Sequence, residues 1–224
     1  ALSWNERALH ESGIDATAQM AVNQIHDVMR TELMAGQFLD VFEQTKLGAE
    51  SFSVERSLKI ARYKSGKYSI ERPLHFGAAL AMASNSENLS TYLTIYSEYG
   101  LPLGEAFQLR DDLLGIFGDP AQTGKPAGDD LREGKRTALI AYAHDRGNSM
   151  EKDLLEQKLG TDLTQGEIEQ LRLTITNSGA VTHVEELISK LSQIALDAIN
   201  RDEITQESKA LLREMVDLVI NRTR

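Results

Sequence analysis

The chain has no cysteine among its 224 residues, so it carries no disulfide framework, no thiolate nucleophile and no cysteine metal site. It contains no run of about 18 apolar residues, which argues against a membrane-spanning helix. Its first residues, ALSWNERALHESG, lack the basic-then-apolar order of a secretion signal, and the expectation is a cytoplasmic protein. Proline is scarce: the four prolines, Pro73, Pro102, Pro120 and Pro126, all lie in the middle of the chain and mark no linker. Basic residues are outnumbered by acidic ones, 24 against 34, for a net charge of −10. That balance argues against a nucleic-acid binder, which needs clustered Lys and Arg. It leaves room for a phosphate ligand, because a few lysines and a divalent cation make a local positive site in an acidic protein. Histidine is also sparse. His10, His26, His75, His144 and His183 are far apart, with no metal-type pair, and no serine sits in a nucleophile-elbow pattern.

What is present is helical periodicity. No alternating strand pattern and no internal repeat interrupts it, so the chain reads as a single all-α domain over residues 1–224. From Ile14 to Thr45, Met20, Ile25, Met29, Leu33 and Phe38 recur at helical spacing, with Asp15 or Thr17 as the cap. A second helix is expected over Val54–Ser65, interrupted or kinked by Gly66. A third opens near Pro73 and runs to about Ser84, and a fourth covers about Glu87–Tyr99. Pro102 suits a first helical turn, and the helix it opens runs to about Phe117, where Gly118-Asp119-Pro120 stops it. Residues 121–134 read as an ordered loop. Further helices are expected over Lys135–Asp145, Glu151–Leu159, Thr164–Asn177, Val181–Ile199 and Glu207–Asn221.

The chemistry concentrates in Phe107–Lys135, FQLRDDLLGIFGDPAQTGKPAGDDLREGK. Gln108, Asp111 and Asp112 lie three and four positions apart and share a helix face. Apolar Phe107, Leu109, Leu113, Leu114, Ile116 and Phe117 surround them, so the helix is expected to be largely buried, where unpaired carboxylates are costly. Adjacent carboxylates repel and call for a cation. A hard cation such as Mg²⁺ takes few protein carboxylates and completes its shell with water and phosphate oxygens. Lys125 and Lys135 bracket Asp129 and Asp130. The run Gly118–Lys125 is not a P-loop: its spacing is one residue too long, Pro126 stands where Ser or Thr is required, and no strand precedes it.

These residues resemble the trans-isoprenyl diphosphate synthases, the polyprenyl synthetases. FQLRDDLLGIFGD followed by GKPAGDDLREGKRTALI is similar to that family's second Asp-rich region. Lys64-Ser65-Gly66-Lys67-Tyr68 resembles its Lys-Thr motif, and Gly36-Gln37 followed by Asp40 its Gly-Gln-x-x-Asp helix. RYKSGKYSIERPLHFGAALA is similar in style to bacterial geranylgeranyl-type enzymes. The resemblance implies an isoprenoid-synthase-type helical bundle, incomplete at its N-terminus. It also implies Mg²⁺, with Mn²⁺ as a substitute, and two substrates, an allylic diphosphate and isopentenyl diphosphate. The diphosphate leaves, and the double bond of isopentenyl diphosphate attacks the carbocation. Asp111 would then ligate the metal with support from Asp112. Lys64 and Lys125 would grip the diphosphate, and Lys135 would add charge at the mouth. Ser65 and Gln108 would face the carbocation or hold the leaving group, and Asp129 would orient the site. A homodimer is implied, with the helix from Ile14 as a candidate contact.

Two departures accompany the resemblance. Gly115 stands where the family's third Asp is expected, with Asp119 one turn on. The first Asp-rich motif, DDxxD, has no counterpart before Gly36. The expectation is a C-terminal portion of a synthase with little activity alone. A non-catalytic partner subunit is the alternative, and a class I terpene cyclase, which shares the fold, is less favoured.

Overall fold

A computed structural model describes residues 4–46, 48–82, 86–123, 126 and 128–222. In order, the helices are α1 (Trp4–Glu11), α2 (Ala16–Gln44), α3 (Val54–Ala61), a π-helical segment (Arg62–Glu71), α4 (Arg72–Met82) and α5 (Ser86–Phe117). There follow α6 (Pro120–Thr123), α7 (Asp129–Arg132), α8 (Ala138–Arg146), α9 (Ser149–Lys158), α10 (Gln165–Asn177), α11 (Ala180–Ala198) and α12 (Gln206–Ile220). Among the described residues there is no strand, and no helix is long and apolar enough to cross a membrane.

The core forms around α5. Its Ile95, Tyr99, Leu103, Ala106, Leu109, Leu113 and Ile116 recur every three or four residues and are buried. Opposite them α11 presents Ala180, Val184, Ile188 and Ala195 at the same spacing. Full burial of each such aliphatic side chain stabilises by roughly 1.5–3 kcal/mol. Polar ties set the register: Tyr99 Oη donates to Leu212 O on α12 at 2.8 Å, and Arg110 grips Glu185 on α11 through both terminal nitrogens at 2.7 Å.

The burial on α5 also explains why Pro102 does not begin a helix. Pro102 lies inside the continuous α5, where a proline costs about 3 kcal/mol in a lost hydrogen bond and crowding. The buried residues on both sides of it offset that cost by making one unbroken stripe. Two other boundaries differ, the first through capping. The expected helix from Lys135 begins instead at Ala138, because Thr137 takes an extended backbone and caps the Ile140 amide. The loop expected over 121–134 contains the short α7. At α2, Asp15 is the cap, accepting from the Thr17 and Ala18 amides at 2.8 Å and 3.0 Å.

Gly66 does not interrupt its helix. The chain runs without a break from α3 through the π segment into α4, with the Arg72 amide donating to Lys67 O. Close backbone approach on two sides accounts for this. A Cβ on Gly36 of α2 would lie 2.5 Å from the Lys64 nitrogen, and a Cβ on Gly104 of α5 would lie 2.3 Å from the Gly66 Cα. The π segment is thus wedged between α2 and α5 with no side chain in the gap.

α2 itself lies at the edge of the bundle. Its small or polar residues Ala18, Val22, His26, Gly36 and Glu43 face inward, while Met34 and Phe38 are 69% and 67% exposed. The apolar positions expected to face the core of this helix are partly on its outer side.

Gly104→Ala is predicted to destabilise the fold by at least about 1 kcal/mol, because overpacking outweighs the helix propensity that alanine gains over glycine. Urea unfolding checks it. An unchanged or higher midpoint would show that α5 and the π segment do not meet backbone to backbone.

Candidate functional site

The wedged geometry brings the first part of the π segment against the C-terminal halves of α2 and α5. A cavity of about 240 Å³ opens there. Asp40 enters it from α2, Lys64 and Ser65 from the π segment, Gln108, Asp111 and Asp112 from α5, and Asp130 from α7. Lys135, Thr137 and Ala138 close it at the N-terminus of α8. Of the residues expected from sequence, the structure brings together Lys64, Ser65, Gln108, Asp111, Asp112 and Lys135. Lys125 lies outside the described residues.

The side chains form a connected network. Lys64 Nζ pairs with Asp40 Oδ2 at 2.5 Å, one helical turn along α2 from the glycine that admits the Lys64 backbone. Ser65 Oγ donates to Gln108 Oε1, and Gln108 Nε2 donates to Asp112 Oδ1 at 2.8 Å. Lys135 Nζ bonds Asp130 Oδ1 and pairs with Glu133 Oε2 at 3.0 Å.

Electrostatics divides the carboxylates. Asp112 is only 4% exposed, and burial pushes its pKa from 3.8 up to about 8; Asp130 and Asp111 push the same way, against hydrogen bonds from Gln108 and the Ala138 amide. Burial alone would lower the Lys135 ammonium, but its hydrogen bond and ion pair with Asp130, helped by Glu133, hold it above the ordinary lysine range. Lys135 is therefore a permanent cation, while Asp112 in the metal-free protein keeps its proton at neutral pH.

Gly115 gains a physical reading here. A Cβ built on it would lie 1.9 Å from Asp130 Oδ2, so the Asp130 carboxylate occupies the space where a side chain at position 115 would begin. A third acidic group does reach this face of α5, from α7 rather than from α5 itself. The sequence reading singled out Asp129 as the orienting residue of this loop. The buried Asp130 lines the cavity, and Asp129, expected to orient the site from behind its lining, lies outside that lining. Arg222, just past α12, was missed altogether. Its Nη1 lies 3.3 Å from Asp111 Oδ1 and its guanidinium stacks 4.7 Å over the Phe107 ring. Nothing in its local sequence distinguishes it; only the docking of α12 against α5 brings it there.

A second, larger cavity has a volume of about 820 Å³. Tyr68 and Ser69 of the π segment line it, as do Met29 of α2, Pro73, Phe76 and Leu80 of α4, and Leu9 of α1. The π segment thus contributes Lys64 and Ser65 to one cavity and Tyr68 and Ser69 to the other.

The polyprenyl synthetase pattern matches residues 7–175. The chain belongs to the polyprenyl synthetase family. A geranylfarnesyl diphosphate synthase from Aeropyrum pernix is 32% identical over 195 residues, covering 86% of this chain and 57% of that protein. The crystal structure of a geranylgeranyl pyrophosphate synthase from Corynebacterium glutamicum, complexed with isoprenyl diphosphate and magnesium, superposes with a TM-score of 0.88 at 38% identity. It covers 98% of this chain and 60% of that one. A polyprenyl synthase from Caulobacter crescentus, complexed with calcium and isoprenyl diphosphate, gives a TM-score of 0.77 at 26% identity, covering 93% of this chain and 61% of that one. The chain therefore spans somewhat more than half the length of these relatives, and its all-α fold is that of the polyprenyl synthetases.

The donor set suits the divalent cation of such synthetases. Among the described residues no three carboxylate or histidine side chains form a ready-made metal cage. Mg²⁺ does not need one, since it keeps several waters and takes phosphate oxygens. A buried Asp112 whose ionisation is opposed by burial, and further by Asp130 and Asp111, is the kind of group a cation stabilises.

The raised Asp112 pKa carries a sign. Between pH 3.8 and about 8 the folded protein holds a proton that the unfolded chain has released, so this group lowers stability as pH rises through that window. Asp112→Asn is predicted to remove that component and to be more stable than the parent at pH 8 in EDTA. Urea midpoints at pH 6 and pH 8 in both proteins read it; equal losses in the two would count against a buried, protonated Asp112.

Proposed function

We propose that the small cavity binds the diphosphate of an allylic prenyl donor together with Mg²⁺, as part of a prenyltransferase that extends the donor with isopentenyl diphosphate to a geranylgeranyl or similar product. The observation that carries this reading is the convergence of Lys64, Gln108, Asp111, Asp112 and Lys135 on one cavity from the π segment, α5 and the chain leading into α8, with an apolar cleft against the same π segment. In the reaction the carbon–oxygen bond to the diphosphate breaks. The double bond of isopentenyl diphosphate forms the new carbon–carbon bond, and loss of a proton restores an alkene.

Each residue has a part that its surroundings support. Lys64 Nζ, held extended by Asp40, and Lys135 Nζ, held by Asp130, would take the diphosphate oxygens as point charges. Asp111, on the open side of the cavity, and Asp112, on the closed side, would hold the metal directly or through its waters. The metal when bound would supply charge stabilisation for the departing diphosphate. Ser65 and Gln108, tied to each other and to Asp112, would present oxygen lone pairs toward the positive carbon without offering a free nucleophile. The apolar cleft would take the prenyl tail and keep water from it. The exposed face of α2 around Met34 and Phe38 supports a homodimer, since apolar patches of this kind mark contact surfaces.

Calorimetry with inorganic diphosphate, with and without Mg²⁺, tests the binding step on the chain as it stands. Binding is expected to need Mg²⁺. Lys64→Ala and Asp111→Asn are each expected to weaken it about 10- to 100-fold, the equivalent of one charge-assisted contact. Non-hydrolysable allylic diphosphates of increasing prenyl length should bind more tightly than diphosphate alone. Metal-independent binding, or no gain from a tail, would contradict the reading.

A further inference from the structure

The π segment that carries Lys64 and Ser65 needs external support. A π-helix is rare and usually survives for a single turn, whereas this one runs the ten residues Arg62–Glu71. Each of its turns takes in about one more residue than an α turn, so the direction in which Lys64 points depends on the segment staying in π register. The glycine contacts allow the backbone to sit between α2 and α5 but donate nothing that would hold the register. A partly buried polar cluster, outside the cavity and unused by the proposed chemistry, is placed to do so.

Its centre is Glu32 on α2. Glu32 Oε1 accepts from Lys67 Nζ at 2.6 Å and from Arg72 Nη2 at 2.9 Å, and Oε2 accepts from Arg72 Nε at 2.9 Å. Lys67 is in the middle of the π segment and Arg72 is the residue that closes it. All three side chains are 14–16% exposed. Glu71, 3% exposed, lies behind them, 3.7 Å from Lys67 and 3.8 Å from Arg72, and accepts from Ser97 Oγ on α5 at 2.7 Å. His75 on α4 completes the cluster. A guanidinium only donates, so the His75 Nδ1 that faces Arg72 Nη1 at 3.1 Å must accept, and its proton sits on Nε2, toward Leu93 O at 3.0 Å. His75 is therefore neutral, in keeping with the burial that lowers its pKa. Two carboxylates and two cations balance, and they join α2, the π segment, α4 and α5.

We infer that Glu32 is a positioning residue for the diphosphate grip: by clamping Lys67 and Arg72 to α2 it holds the π segment in the register that presents Lys64 and Ser65 to the cavity. Removing one partner of a buried ion cluster leaves an uncompensated charge. Without the Glu32 carboxylate, Lys67 and Arg72 compete for Glu71 alone and the middle of the segment loses its tie to α2. The consequence for binding rests on the proposed function; the consequence for the segment does not.

The test uses Glu32→Gln, with Glu185→Gln as a control that removes a well-formed ion pair from α5 and α11 and touches neither the cavity nor the π segment. Hydrogen–deuterium exchange should quicken at least tenfold in residues 62–71 of Glu32→Gln and stay unchanged there in Glu185→Gln. Affinity for inorganic diphosphate with Mg²⁺ should fall about tenfold in the first variant and remain at the parent value in the second, at a temperature where all are folded. Unchanged exchange in 62–71, or a lower melting temperature with parental affinity, would reduce Glu32 to a structural ion pair and overturn the inference. If exchange quickens but the parent itself binds no diphosphate, the clamp stands and the proposed function fails. Should Glu32→Gln not fold, Glu32→Asp keeps the charge on a shorter arm and should shift both readouts in the same direction by less.

Discussion

Backbone touching backbone at Gly36, Gly66 and Gly104 is the constraint from which the site follows. Helices with side chains between them lie 8–10 Å apart, too far for Asp40 on α2 and Gln108 on α5 both to reach residues 64 and 65 of the segment between them. With no Cβ in the gap, the π segment comes close enough for Lys64 to meet Asp40 and for Ser65 to meet Gln108. The same closeness forbids large residues at these positions. The apolar burial that stabilises the bundle is therefore placed elsewhere, along α5 and α11. Stability and site geometry are supplied by neighbouring faces of α5: Leu109, Leu113 and Ile116 face the core, while Gln108, Asp111 and Asp112 line the cavity.

The polar chemistry of the cavity was readable because α5 is dense in information. Gln108, Asp111 and Asp112 sit at helical spacing among apolar residues, and that pattern alone places them on one buried face. Lys64 and Gly36 were readable as motifs, but the reason for their pairing was not, because it depends on two glycines distant in sequence meeting the same short segment. The π register was illegible for the same cause. RYKSGKYSIE has no proline and reads as helix with one weak point at Gly66, and only packing decides that the weak point becomes a wide turn rather than a break. Asp129 and Asp130 open the one-turn helix α7, where sequence does not tell which of two neighbours turns inward. The buried stripe around Pro102 shows the converse: local chemistry suggested a helix start, and tertiary burial overrode it.

Charge balance sharpens what the cavity is poised to do. In the metal-free protein Asp40 is matched by Lys64, Asp130 by Lys135 and Asp111 by Arg222. Asp112 has only dipoles, from Gln108 and the Ala138 amide at the start of α8, and it is the carboxylate that burial pushes up to about 8. The site is thus not a bowl of negative charge waiting for any cation. Each exchange would have a local cost: on the proposed reading a metal at Asp111 would compete with Arg222, and ionisation of Asp112 would release a proton. A bare divalent cation gains little from such a site, because it must undo an ion pair and meet a protonated acid. On the proposed reading a cation that arrives with a diphosphate would gain more, since Lys64 and Lys135 would meet phosphate oxygens while the carboxylates met the metal. On the proposed reading, such an arrangement would favour metal and diphosphate as a pair over either alone, because the three ion pairs and the protonated Asp112 leave little to attract a bare cation.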